Sequence, residues 1–327
     1  MPPPNATSLY TPEDVYEHER LANLRPARWS NPTPAQRYQL AIIGAGPAGV
    51  AAAEAASALG ASVALIEREL VGGTCLNIGC VPSKAIIRTS RLYAEMRDAK
   101  RYGAEVPDGV RVDFAAVMER VRRIRARLSG RESVRRLAAA GVDVFFADAS
   151  FAGADTLALG AQTLRFEKAL IATGARPNIP TVPGLAEAGY LTNENIFDLT
   201  ELPRRLLVVG GGPIGCELAQ AFCRLGAKTT IVQNKPLFLD GEERDAAQIL
   251  STALAHDGIE VRLNTHVVAV RVQAGEKVVD LVSDDYRNSI AVDAILTGVG
   301  RLPNTEGLNL QAAGVACESG TGVLVDD

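Results

Sequence analysis

An α/β fold in which one strand–turn–helix–strand unit occurs twice is predicted by three features of the 327-residue sequence. The apolar stretch "YQLAIIGAG" ends in a glycine turn, residues 47–60 follow as a helix of small residues, and "SVALIER" forms a second strand. The same grammar returns in "RRLLVVGGGPIGCELAQAFCRLGAKTTIVQ", residues 204–233, where Gly210 lies 166 positions after Gly44 (210 − 44). The length exceeds what one hydrophobic core usually serves, so two domains are expected.

Taking the elements in order, the first 37 residues are rich in Pro, Asn and charge and read as an extension with one short helix at Pro12–Leu24. After the first βαβ unit come a helix from Pro82 to about Lys100 and a second, Arg-rich helix over Asp113–Ala140. Short strands follow in "GVDVFFADASF" and "TLALGAQTLRFEKALIATG". "GLAEAGYLTNENIFDLTELP" reads as a linker into the second βαβ unit. In "RVRRIRARLSGRESVRR" apolar residues recur at helical spacing without interleaved aromatics, so its arginines read as the solvated face of a surface helix.

Hydrophobic residues make up 47% and charged residues 22%, an ordinary globular composition. The net charge of −4, from 34 basic and 38 acidic residues, argues against nucleic acid as a partner. The opening "MPPPNATSLY" lacks the basic and apolar regions of a secretory signal. The apolar run 41–66 carries Glu54, Pro47 and several glycines, which argues against a membrane span. Five cysteines are too few for a disulfide scaffold and point to a reducing, cytoplasmic setting with one special pair.

Gly44, Gly46 and Gly49 form G-x-G-x-x-G between strand and helix. The first glycine makes the turn, the second admits a pyrophosphate to bare backbone, and the third lets helix and strand pack closely. Free N–H groups at the helix start offer the phosphates a positive end. Glu67, 18 residues after Gly49 (67 − 49), ends the second strand and suits the ribose hydroxyls of an adenosine without a 2′-phosphate. Gly210, Gly212 and Gly215 repeat the pattern, but the matching position is Gln233. A neutral side chain there does not repel a 2′-phosphate, and Lys235 or Lys228 could attract one, so the second site leans to NADPH. The alternative is that Gln233 binds the hydroxyls of NADH as a neutral acceptor. Two Rossmann-like nucleotide-binding domains, three-layer ββα in type, are therefore expected.

Cys75 and Cys80 lie within "GGTCLNIGCVPSK". C-x4-C without a second ligand pair is poor zinc spacing, and so short a loop gains little as a staple. Cys216 and Cys223 read as small core residues of one helix. A redox couple fits Cys75 and Cys80 best, since Pro82 and Ser83 open a helix whose N-terminus would favour a thiolate.

"GGTCLNIGCVPSK" resembles the active-site signature of the FAD-dependent pyridine nucleotide–disulfide oxidoreductases, which include dihydrolipoamide dehydrogenase, mercuric reductase and glutathione reductase. "ALIATGARP", "GGGPIGCELA" and "GVGRLPNT" follow in the family's order, so the resemblance covers residues 39–327. It implies an FAD-binding domain at 38–185 with the redox disulfide, returning at 304–327, and an NAD(P)-binding domain at 186–303. It implies that electrons pass from NAD(P)H through flavin to the Cys75–Cys80 disulfide. Cys80 would be the flavin-proximal thiol, able to make a charge-transfer contact, and Cys75 the outer thiol that attacks substrate. Lys84 and Glu217 match a pair near the flavin N5, expected to be buried and ionised, with Lys84 also touching the cofactor. Gly73, Thr74, Thr173, Gly174, Gly300 and Arg301 fall in motifs expected to line the cofactors. Pro213 stands where glutathione reductase has a gating aromatic.

The acceptor implied is a metal ion or small molecule, Hg(II) or a small disulfide, with an NAD-linked dihydrolipoamide dehydrogenase and a flavin-binding remnant without turnover as alternatives. No membrane partner and no bound metal cofactor are expected. The sequence stops before the family's second flavin contact and its C-terminal dimerisation domain, and His18, His256 and His266 fall in no acid–base pattern. A C-terminally truncated member is expected, with a homodimer expected only for a full-length form.

Overall fold

A computed structural model of the chain describes residues 14–284, 286–318 and 320–326. In chain order it runs α1 (Val15–Leu24), β1 (Tyr38–Ile43), α2 (Pro47–Ala58), β2 (Val63–Glu67), α3 (Gly73–Ile78), α4 (Cys80–Arg97), α5 (Phe114–Ser129) and α6 (Val134–Ala139). Strands β3 (Val142–Phe146), β4 (Ala149–Gly153), β5 (Thr156–Leu159), β6 (Gln162–Ile171) and β7 (Ala175–Pro177) follow, then α7 (Leu185–Ala188). The second repeat supplies β8 (Arg205–Val209), α8 (Pro213–Arg224), β9 (Lys228–Val232), α9 (Arg244–His256) and β10 (Glu260–Arg262). A meander of β11 (His266–Gln273), β12 (Glu276–Val282) and β13 (Arg287–Val292) leads to β14 (Ala294–Thr297) and β15 (Arg301–Pro303). Among the described residues no helix is long and apolar enough to cross a membrane.

The described chain divides into two compact units, one of residues 14–81, 122–176 and 301–326, the other of Pro82–Val121 and Pro177–Gly300. In the first, β3-β2-β1-β6 form a parallel sheet that β5 and β4 extend antiparallel. In the second, β10-β9-β8-β14 form a parallel sheet beside the antiparallel meander β11-β12-β13. The duplication reaches the register. Ile43 faces Ile66 in one sheet, and Val209 faces Val232, each 166 residues later, in the other. Near-continuous apolar strands such as Val63–Ile66 and Leu206–Val208, all buried, are what a parallel sheet covered on both faces requires. The expected Rossmann-like α/β class is the one observed.

Three expectations need correction. The helix over Asp113–Ala140 is two helices, because after α5 the chain makes a short 3-10 turn, Gly130–Glu132, and Ser133 adopts extended backbone and caps Arg136 N–H at the start of α6. Its arginines are not all solvated. Arg122 and Arg125 are buried, paired with Asp14 and Glu17 of the N-terminal segment. The linker-like stretch 184–203 is built into the second unit. Leu185, Ile196 and Phe197 are buried there, and Leu191 bonds β14 through Ile295 O at 2.7 Å and Thr297 N at 2.8 Å.

The described part of the extension, residues 14–37, likewise belongs to the first unit. Asp14 caps α1 by accepting from Glu17 N–H at 2.9 Å, and Leu24 is fully buried. The proposed start of this helix at Pro12 lies outside the described residues.

Candidate active site

Both glycine turns are forced by close backbone contact. Gly44 (φ +103°) and Gly210 (φ +105°) adopt conformations that L side chains rarely take. A Cβ on Gly49 would stand 1.9 Å from Gly44 O, and one on Gly215 would stand 2.2 Å from Gly210 O. These contacts seat α2 and α8 against their strands. Gly46 and Gly212 then occupy the N-cap positions without any side-chain cap, leaving the helix-start N–H groups exposed to a ligand.

At the ends of β1 and β2 a cavity of about 450 Å³ is lined by Gly44, Glu67, Arg68, Thr173 and Asn304, among others. Glu67 is half-buried, and its two carboxylate oxygens accept from Ala45 N–H and Glu69 N–H, both at 2.8 Å. Burial raises the carboxyl above its ordinary range, against the downward pull of those two donors. A cavity that opens on the first glycine turn, with a carboxylate acceptor at its rim, fits the adenosine and pyrophosphate of a dinucleotide.

The second turn has the same wiring with different chemistry. Gln233 Oε1 accepts from Gly211 N–H at 3.0 Å, the counterpart of the Glu67–Ala45 bond. Gly210, Gly212, Gln233, Lys235, His266 and Gly300 share the lining of a cavity of about 420 Å³. Lys235 reaches Asp240 at 2.5 Å in an exposed pair. Lys228 sits at the opposite end of β9, opposite Arg205, and cannot attend a ligand at the glycine turn. Of the two lysines the sequence offers a 2′-phosphate, only Lys235 lines this cavity.

The redox motif folds as two helix starts. α3 carries Thr74 and Cys75, Gly79 breaks the chain, and α4 begins at Cys80. The two sulfurs lie 3.0 Å apart as free thiols, Cys75 half-buried and Cys80 exposed. Burial raises the Cys75 thiol, and the adjoining Cys80 sulfur adds to the shift. Gly73 opens α3 hard against the first glycine turn, since a Cβ there would meet Gly46 Cα at 2.7 Å. By contrast Cys216 and Cys223 are buried in α8, and burial pushes Cys216 up to about 11, which suits inert core thiols.

Lys84 Nζ donates to both oxygens of Glu217 at 3.0 Å. The pair forms, but it is not buried as expected: the side chains are 59% and 39% exposed. Both project from helix faces opposite those that pack inward, as buried Ser83, Ala85, Cys216 and Leu218 on either side indicate.

The remaining motif residues meet one another. β7 and β15 pair, Thr173 Oγ1 donates to Asn304 O at 2.7 Å, Asn304 N–H donates to Gly174 O at 2.9 Å, and Arg301 donates to Ala175 O. Sequence reasoning missed Asn304 and Arg176, which tie these segments together and to Glu306 at 2.7 Å. The Asn of "GRLPNT" was the available signal. It also missed Arg20 and Asn77, for which local sequence offers no signal.

A model of the pyridine nucleotide-disulphide oxidoreductase family matches residues 38–327. Mercuric reductase of Lysinibacillus sphaericus is 35% identical over 291 residues, 89% of this chain and 53% of that protein. Dihydrolipoyl dehydrogenase of Bacillus subtilis (strain 168) is 34% identical over 283 residues, 84% of this chain and 61% of that protein. The HOCl-induced flavoprotein disulfide reductase RclA from Escherichia coli superposes with a TM-score of 0.76 at 32% identity, covering 88% of this chain and 62% of that one. The chain thus spans between about half and three fifths of the length of these relatives. By the extent of the match, the chain belongs to the pyridine nucleotide-disulphide oxidoreductase family.

Proposed function

We propose that the chain is the nucleotide-binding and redox portion of an FAD-dependent enzyme that passes electrons from NAD(P)H through the Cys75–Cys80 pair to Hg(II) or a small disulfide. The observation that carries this is the contact of Gly73 with Gly46: the helix bearing Cys75 packs directly on the turn that would hold the pyrophosphate, with Cys80 Sγ 3.0 Å from Cys75 Sγ. FAD would rest on Gly44, Gly46, Gly49 and Gly73 with its ribose at Glu67, and when bound it supplies a two-electron relay between nicotinamide and disulfide. Thr74, Thr173 and Gly174 would complete its lining.

In the net step, NAD(P)H gives up a hydride, solvent gives a proton, the Cys75–Cys80 bond breaks and two thiols result. The charged Lys84–Glu217 pair would steady negative charge developing beside it. Cys75 takes the outer role from its place in the motif. Its raised thiol pKa means that attack on an acceptor needs a base. Gln233 in place of a carboxylate supports NADPH as the donor, bound over Gly210, Gly212 and Gly215 with Gly300 at the edge. Arg301 serves by fixing β15 beside the motif strand.

The test is NADPH and NADH consumption by the flavin-loaded chain with Hg(II), glutathione disulfide and lipoamide in turn. Faster NADPH consumption with Hg(II) or glutathione disulfide is expected. NADH with lipoamide as the best pair would favour a dihydrolipoamide dehydrogenase, and bound flavin without turnover on any acceptor would leave a remnant.

A further inference from the structure

Between the two cysteines, Asn77 is 5% exposed and fully engaged. Its amide N–H groups donate to Val71 O at 3.2 Å and Gly73 O at 2.9 Å. Its side-chain oxygen accepts from Arg20 Nη1, and its backbone oxygen from Arg125 Nη1 at 2.9 Å. Arg20, only 1% exposed, is itself clamped by Glu17, with Nε donating to Oε2 at 3.0 Å and Nη2 to Oε1. Arg125 closes the set at 3.7 Å from Glu17. Asp14 caps the helix that carries Glu17 and Arg20, and it pairs with Arg122.

Burying two arginines and a glutamate is not an efficient way to hold a helix down, because apolar residues of similar volume usually serve as well. What the ions add is direction. The planar guanidinium of Arg20 spans Glu17 and the Asn77 amide in one rigid fork. Asn77 stands two residues after Cys75 and three before Cys80, where α3 gives way to α4. We propose that Arg20, oriented by Glu17, is a positioning residue for the Cys75–Cys80 couple, fixing through Asn77 the loop geometry in which the two sulfurs meet. The N-terminal helix is then part of the redox device, and loosening Arg20 lowers the effective concentration of one sulfur at the other. This rests on the redox role of the pair proposed above.

The experiment equilibrates the full chain with glutathione buffers and counts Cys75–Cys80 disulfide by alkylation and peptide mass mapping. In the exchange two protein S–H bonds are lost and one S–S bond forms. The two electrons and two protons convert one glutathione disulfide to two glutathione thiols. In Arg20→Lys, which keeps the charge beside Glu17 but not the fork, the closure constant is expected to fall at least about tenfold, equivalent to about 30 mV. Asp14→Asn, which keeps the cap but breaks the tie of the same helix to Arg122 without touching Asn77, should lower the melting temperature and leave the constant within about twofold of wild type on the same scale.

An unshifted Arg20→Lys, or an equal shift in Asp14→Asn, overturns the proposal. Should Arg20→Lys fail to fold, Asn77→Ala removes the side-chain acceptor while keeping the Arg20–Glu17 ion pair, and an unshifted constant there overturns it equally. A wild-type pair that never closes in any buffer defeats the redox role itself, a result separate from a wild-type pair that closes with the variants matching it.

Discussion

Replacing Gln233 by Glu turns the second glycine turn into a chemical copy of the first. The substitution keeps the size of the side chain and the acceptor for Gly211 N–H, which Gln233 Oε1 now receives at 3.0 Å, just as Glu67 receives Ala45 N–H at 2.8 Å. The fold should therefore tolerate it. The difference is one negative charge at the rim of a cavity whose lining lysine, Lys235, already faces Asp240. At about 5 Å in a water-like dielectric a unit pair is worth roughly 0.8 kcal/mol, and a 2′-phosphate near charge −2 doubles that to roughly 1.6 kcal/mol. This corresponds to about fifteenfold in affinity. A lower effective dielectric inside the cavity only increases the penalty. Calorimetric titration of NADP⁺ and NAD⁺ reads the ratio of dissociation constants without requiring turnover. In Gln233→Glu, NADP⁺ is expected to bind more weakly by an order of magnitude or more, with NAD⁺ unchanged or tighter. Equal changes for the two ligands would refute it, because only the 2′-phosphate distinguishes them.

Three further outcomes follow from the geometry. Gly49→Ala drives a Cβ to 1.9 Å from Gly44 O, so denaturant titration should show a loss of about 3 kcal/mol or more, whereas Gly241→Ala, with open space around it, should change stability by less than about 0.5 kcal/mol. Lys84→Met breaks an exposed pair and should shift stability by less than about 1 kcal/mol, yet stopped-flow reduction of the disulfide by NADPH should slow at least about tenfold. Equal, small effects on both readouts would remove Lys84 from the chemistry. For the reduced pair, alkylation of Cys75 should keep accelerating above pH 9, because its thiol is raised from the ordinary value of 9.0, first by burial and then by Cys80. In Cys80→Ala the midpoint should fall but stay above the ordinary value, since burial remains; a midpoint that does not move denies Cys80 its share.

What the sequence disclosed was local and periodic. Apolar strands, glycine turns and small-residue helices are written in consecutive residues, so both βαβ units and their 166-residue offset could be read directly. Cys75 and Cys80 were legible because short motif spacing already forces proximity. Properties that depend on distant partners were hidden. Arg122 and Arg125 are buried because Asp14 and Glu17, more than 100 residues earlier, neutralise them. The exposure of Lys84 and Glu217 depends on which helix faces pack inward, which pair matching cannot reveal. The break before α6 was a different failure, for Gly130 and Ser133 signal it openly and the arginine run on either side obscured them.

The most direct test places isotopically distinct alkylating reagents on the cysteines before and after one equivalent of NADPH, added anaerobically to the flavin-loaded, oxidised chain. Electron delivery to the sulfurs predicts that Cys75 and Cys80, and no other cysteine, acquire the second label in stoichiometric yield. Oxidised nicotinamide with neither cysteine newly labelled would contradict it.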